Sequence, residues 1–155
     1  MARTAKPVPD GFHSATPYLI IKGAAPAIDF YKQVFGATEL MRMADPSGRI
    51  RHAEIKIGDS PFMLTDENPE FPDWLSPASR GGTPVHIYLY VDDVDTIFRR
   101  AIDAGAKQLL AVQDQFYGDR SGAVTDPFGH VWYIATHVED VSPEEIRRRA
   151  AQQGR

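Results

Sequence analysis

His52 and Glu54 stand two residues apart in Ile50-Arg-His-Ala-Glu-Ile-Lys-Ile57, where apolar and polar groups alternate. In an extended chain successive side chains point to opposite faces. His52, Glu54 and Lys56 therefore share one face, and Ala53, Ile55 and Ile57 the other. An imidazole beside a carboxylate is an acid/base pair suited to proton abstraction next to a carbonyl. His86 adds a second imidazole, at the head of a stretch in which His86, Tyr88 and Tyr90 oppose Ile87, Leu89 and Val91. His52, Glu54 and His86 together would form a two-His, one-carboxylate set fit for a divalent metal. The spacing leaves three roles open: metal ligands, acid/base groups without metal, or polar residues on a wetted sheet face.

Around these stand groups that bind rather than react. Trp74, Tyr88, Tyr90 and Tyr133 are stacking candidates for an organic ligand, and Tyr117 joins them as a binding residue. Arg120 offers a bidentate fork for a substrate carboxylate or phosphonate, or a loop salt bridge with Asp119 or Asp126. Asp126-Pro-Phe-Gly129 reads as a turn without chemistry, His130 as a surface group beside it, and His137 as lying past a strand end. Arg147-Arg-Arg149 faces Glu144 and Glu145 on one helix, which makes a solvated face rather than a nucleic-acid patch. The chain has no Gly-x-Ser-x-Gly elbow, His-Glu-x-x-His pair, phosphate-cradling glycine loop or EF-hand loop.

These residues need strands to hold them. Residues 1–15 read as a loose arm. Residues 17–22 form a strand, and Ile28, Tyr31, Val34 and Phe35 have helix spacing, ended by Gly36. Strands follow at 38–43, 50–57 and 62–65, then a Pro/Gly/Ser-rich connection over 66–84. The order then repeats: a strand at 86–91, a helix carried by Val94, Ile97, Phe98, Ala101 and Ile102, and strands near 107–112, 122–126 and 131–136. Ser142-Pro-Glu-Glu145 caps a last helix that runs to about 153. Ile28 and Ile97, Gly36 and Gly105, and Ala37 and Ala106 are each 69 positions apart. Thr16 and His86, and Phe62-Met-Leu64 and Trp132-Tyr-Ile134, are 70 apart. A one-residue insertion between strand and helix accounts for the slip. The chain is a duplicated β-α-β-β-β unit, each copy too small to bury its own sheet face. The fold class is α+β: two tandem βαβββ modules, 16–66 and 85–137, forming a curved eight-stranded sheet or incomplete barrel with helices outside. Residues 138–155 add a capping helix.

Composition narrows the function classes. A chain of 155 residues suits one domain. With no cysteine there is no disulfide scaffold, thiolate zinc site, Fe–S cluster or cysteine nucleophile. A net charge of −4 argues against general nucleic-acid binding. No apolar run reaches the ~20 residues of a membrane span, and the N-terminus lacks a signal-peptide pattern. The expectation is a soluble, cytoplasmic protein.

The ordered set Ala27-Ile-Asp-Phe-Tyr31, Phe35-Gly-Ala37, His52-Ala-Glu54, Tyr90-Val-Asp-Asp-Val94 and Asp126-Pro-Phe-Gly-His-Val-Trp132 resembles the vicinal-oxygen-chelate superfamily. That superfamily holds glyoxalase I, bleomycin-resistance proteins, extradiol dioxygenases and fosfomycin-resistance enzymes. Asp114-Gln-Phe-Tyr-Gly-Asp-Arg120 and Thr136-His-Val-Glu-Asp140 are similar to its PhnB-like branch. The resemblance implies four metal-ligand positions, on the first and last strand of each module: Thr16, Met63, His86 and Tyr133. Only His86 is a usual ligand for a divalent ion such as Zn, Ni, Fe or Mn. It further implies a homodimer with a small-molecule ligand. Two functions follow. One is a binding protein with a degenerate metal site, suited to sequestering a drug. The other is a lyase, isomerase or dioxygenase that uses His52, Glu54 and His86.

Overall fold

Leu19 and Ile21 alternate with Tyr18 and Ile20 in a four-residue strand, and only Leu19 and Ile21 are buried. The strand over Ile50–Ile57 alternates in the same way, with Ala53, Ile55 and Ile57 buried. The computed structural model describes residues 4–154. The outer ends of the expected arm and capping helix, residues 1–3 and 155, lie outside the described residues. The chain divides into two compact units, Met1–Gly82 and Thr83–Arg155. The first holds β1 (Tyr18–Ile21), α1 (Ala24–Phe35), β2 (Thr38–Ala44), β3 (Ile50–Ile57), β4 (Ser60–Asp66) and α2 (Pro77–Arg80). The second holds β5 (His86–Tyr90), α3 (Val94–Asp103), β6 (Lys107–Asp114), β7 (Asp119–Thr125), β8 (Val131–His137) and α4 (Pro143–Gln152).

The eight strands are shared between two four-stranded mixed sheets, ordered β1-β4-β3-β2 and β5-β8-β7-β6. In each, the first strand pairs in parallel with the last, and the other pairs are antiparallel. Tyr18 pairs with Met63 and Tyr88 with Tyr133, so the 70-residue offset read from the sequence is the offset of the sheet register itself. In the first unit Ile28, Tyr31 and Val34 of α1 are buried with Leu19, Ile21, Ala53, Ile55 and Leu64. In the second, Val94, Phe98 and Ala101 of α3 are buried with Leu89, Val124, Trp132 and Ile134. Gly122 of β7 has no room for a side chain, because a Cβ there would lie 2.8 Å from Phe98 and 2.9 Å from Val112.

The end of each last strand staples the start of its helix. Asp66 Oδ1 accepts the N–H groups of Gly23 (3.1 Å) and Ala24 (2.7 Å), and Oδ2 accepts that of Ile50 (2.7 Å). The equivalent residue, Thr136, accepts from Val94 N (2.9 Å) and donates to Val91 O (2.8 Å). These bonds satisfy amides that a helix start leaves without intrahelical partners.

Four expectations need correction. The connection over 66–84 is not all loop: it contains α2, capped by Ser76 Oγ accepting from Ser79 N, with Pro77 in its first turn. β7 begins at Asp119 rather than near 122, which puts Asp119, Arg120 and Ser121 in the sheet. His137 ends β8 instead of following it, because its partner Asp119 extends the ladder. His130 is buried at 9% exposure, since the turn folds onto the Asp126 carboxylate, which accepts the His130 N–H at 3.0 Å. Asp126 also takes the Phe128 N–H and the Trp132 indole N–H, both at 2.9 Å, so the turn read as chemically silent anchors the core tryptophan. Among the described residues, no helix is long and apolar enough to cross a membrane.

Replacing Asp66 by Ala removes the acceptor of three backbone amides. The expected loss is about 2–3 kcal/mol, the scale of hydrogen bonds to a charged group, read as a lower midpoint in urea unfolding.

Candidate functional site

The sheet face opposite α1 brings the predicted pair together. His52 and Glu54 are two apart on β3, and His52 Nε2 lies 3.2 Å from Glu54 Oε1. On the far side of the imidazole, Nδ1 lies 3.0 Å from the hydroxyl of Tyr18. Tyr18 is thus the residue that sequence reading missed. Its alternation already put it on this face, but β1 and β3 are separated by β4, and only the sheet order shows that the two side chains meet across that strand. Burial, and then the charge of Glu54, push the Tyr18 phenol above its ordinary value.

Trp74 closes the same region. Its indole meets Tyr18 edge-on, with ring centroids 6.1 Å apart, and stacks on Phe71 at 4.9 Å. Tyr18, Ile20, Asp73, Trp74, Leu75 and Arg80 line a cavity of about 410 Å³. The connecting segment that carries Trp74 is tied down. Glu67 Oε1 accepts from Ser76 N (2.8 Å) and Ser76 Oγ (2.6 Å), and Arg80 donates to Asp73 O (2.7 Å). The bonds from Ser76 and Ser79 hold the Glu67 carboxyl at about 2, well below its ordinary 4.5.

The second unit carries different chemistry on the equivalent face. Asp119, 4% exposed, accepts the phenols of Tyr88 (2.7 Å) and Tyr90 (2.9 Å) on Oδ2. Its Oδ1 lies 2.8 Å from His137 Nδ1, and His137 Nε2 is 2.8 Å from Asp140. Burial pushes the Asp119 carboxyl up, but bonds from His137, Tyr88 and Tyr90 outweigh it and leave the group below its ordinary value. The bonds to Asp119 and then Asp140 raise His137. Burial and the bond to Asp119 push the Tyr88 phenol far up, and the bond to Asp119 raises Tyr90. Reading β7 back to Asp119 with the same period of two would have found this carboxylate.

Tyr133 sits between His86 (5.6 Å, 25°) and Tyr88 (5.7 Å, 12°), so three of the expected binding or ligand residues form one stack of rings. Tyr117 and Tyr133 line a polar cavity of about 250 Å³ with Gln113, Gln115 and Ser121. Arg120 bonds Asp95 through Nε and Nη2 (2.8 and 2.9 Å) and Asp114 at 3.2 Å. Those partners differ from the Asp119 or Asp126 expected for its salt bridge, because β7 turns Arg120 to the face opposite Asp119.

The four residues that the resemblance implies as ligands, Thr16, Met63, His86 and Tyr133, carry a hydroxyl, a thioether, one exposed imidazole and a phenol held in a ring stack, a donor set poorly suited to a hard divalent ion. Among the described residues, no group of three or more His, Asp or Glu side chains is placed to hold a metal. His52 and Glu54 belong to the first unit and His86 to the second.

Residues 12–134 match the Glyoxalase/Bleomycin resistance protein/Dioxygenase superfamily. The chain belongs to this superfamily. A relative in Mycobacterium bovis, the uncharacterized protein Mb0911c, is 44% identical over 141 residues, covering 90% of this chain and 93% of its own. The crystal structure of TioX from Micromonospora sp. ML1 is similar at a TM-score of 0.62 and 27% identity, over 84% of this chain and all (100%) of that one. The fosfomycin resistance protein FosX of Listeria monocytogenes, solved with Mn(II) and sulfate, shares the fold at a TM-score of 0.62 and 17% identity, over 89% of this chain and 97% of that one.

The Glu67 anchor gives a pH test. Its folded carboxyl sits below its unfolded value, so its stabilisation is present above about 4.5 and is lost as pH falls toward about 2. Wild type should therefore melt above Glu67→Gln at neutral pH, and the gap should close on acidification, as followed by circular dichroism.

Proposed function

We propose that this superfamily member binds a small organic molecule, with its usual metal site degenerate. The observation that carries the reading is the cavity of about 410 Å³ walled by Tyr18, Trp74, Ile20 and Leu75, with Arg80 and Asp73 as polar groups. That volume lies in the range of small-molecule sites, roughly 300–1,000 Å³. The rings supply stacking area, and the tied-down segment presents Trp74 without a large ordering cost. The Tyr88, Tyr90, Tyr117 and Tyr133 face of the second unit offers further binding area, whereas Arg120 is committed to Asp95 and Asp114. The motifs at 114–120 and 136–140 favour the PhnB-like branch.

A homodimer is part of this proposal. Leu40, Met41 and Met43 on edge strand β2, and Leu109 and Leu110 on edge strand β6, are exposed. Apolar side chains on unpaired edges favour pairing with another chain. Sedimentation at micromolar concentration should give twice the 17.2 kDa of the chain.

The second reading is a lyase, isomerase or dioxygenase that uses His52, Glu54 and His86. It is favoured by the bond between His52 and Glu54. The two readings separate on metal content. The binding reading expects no stoichiometric Zn, Ni, Fe or Mn in protein purified without added metal. Stoichiometric metal that His86→Ala removes would establish the metal-dependent enzyme instead.

Ligand binding has a built-in reporter. Trp132 is fully buried with its indole bonded to Asp126, so Trp74 is the tryptophan that a ligand would reach. Titration with a panel of planar aromatic compounds should quench the emission of wild type but not of Trp74→Phe. A panel that leaves the emission unchanged would count against the cavity as a binding site.

A further inference from the structure

Tyr18 is both a wall of the first unit's cavity and the end of a hydrogen-bonded chain. Glu54 as a carboxylate can only accept, so His52 Nε2, 3.2 Å away, is the nitrogen that carries the proton. That leaves the lone pair on Nδ1, which accepts the Tyr18 O–H at 3.0 Å. Carboxylate, imidazole and hydroxyl in this order make the hydroxyl oxygen an acceptor for an incoming proton, because its own proton has somewhere to go. We propose that Tyr18 is a catalytic acid/base that enolises a neutral, planar aromatic carbonyl compound held against Trp74, with His52 and Glu54 as its positioning residues.

The substrate class follows from the walls. Trp74, Ile20 and Leu75 are apolar and fit a flat ring, while the Arg80 guanidinium can donate to a carbonyl oxygen. Asp73 lines the same cavity and offsets the charge of Arg80, which favours a neutral carbonyl compound over an anion. In the reaction the C–H bond beside the carbonyl breaks and its proton goes to the Tyr18 oxygen. The Tyr18 proton passes to His52 Nδ1, forming an imidazolium next to Glu54. The electron pair of the C–H bond becomes the C=C bond of the enolate, whose oxygen is met by Arg80. Reversal returns the proton from Tyr18 to carbon: to the same carbon, as exchange once the Tyr18 hydroxyl has traded its proton with solvent water, or, in a conjugated substrate, to a remote carbon as isomerisation. No oxidant, reductant or further reactant is consumed. The raised phenol of Tyr18 agrees with a relay in which free phenolate is not the resting form.

This inference rests on the cavity being a binding site for organic molecules, so binding and exchange are read separately. The probe is 2-indanone, incubated with the full chain in D2O, with loss of its methylene protons followed by NMR and binding followed by Trp74 emission. Wild type should exchange faster than buffer. Tyr18→Phe, which keeps the ring, should still show quenching of Trp74 but exchange about 100-fold more slowly at saturating 2-indanone, the scale of one general acid/base group. Glu54→Gln should lower kcat for exchange at unchanged KM and move its pH profile, with part of the rate recovered in Glu54→Asp. Binding without exchange above buffer, or Tyr18→Phe exchanging at the wild-type rate, would overturn the relay and leave the binding reading intact. No quenching by 2-indanone at millimolar concentration would overturn the substrate class and the proposal with it. The binding reading itself is decided by the wider aromatic panel.

Discussion

The parallel pairing of the first strand of each module with its last is the constraint on which the rest depends. It brings Tyr18 beside Met63 and Tyr88 beside Tyr133, residues 45 positions apart in each copy. A parallel pair needs a crossover, and the helix that supplies it covers one sheet face with Ile28, Tyr31 and Val34, or with Val94, Phe98 and Ala101. The other face is thereby left for chemistry. The staples at Asp66 and Thr136 sit where last strand, helix start and first-strand end converge, and they lock the crossover in both copies.

Duplication preserved this backbone while the open faces diverged. By sheet register, Glu54 lies opposite Met63 as Ala123 lies opposite Tyr133. The first unit therefore has a carboxylate at that position, bonded to His52, and the second has a stack of rings with none there. The carboxylate of the second unit sits instead at Asp119, where it collects two phenols and an imidazole. One face carries a phenol, an imidazole and a carboxylate in a hydrogen-bonded row, and the other holds its charged group under hydrogen-bonded rings.

Much of the candidate site was legible in the sequence, and the rest was not, for reasons of distance along the chain. His52 and Glu54 were readable as a pair because period two places i and i+2 on one face. Residue type alone makes Trp74 a stacking candidate, since nothing local says that Glu67 and Ser76 hold its segment against Tyr18. Asp119 is not legible as a strand residue, because Asp119-Arg120-Ser121 lacks the apolar alternation that marks a half-buried strand, although the strand begins there. The burial of His130 is not legible in the sequence, because a turn histidine is exposed by default and the Asp126 carboxylate that draws this turn inward bonds the backbone amides of Phe128 and His130 and the Trp132 indole.

Alternation, helix periodicity and the repeat spacing are local properties of the chain. From them alone the sequence determined the α+β class, the two βαβββ copies and which face of each strand is aliphatic. Contacts between strands are set by register, and register depends on the packing of whole sheets. The tertiary structure alone decided that Tyr18 closes on His52, that Asp119 gathers Tyr88, Tyr90 and His137, and that Arg120 turns away to Asp95.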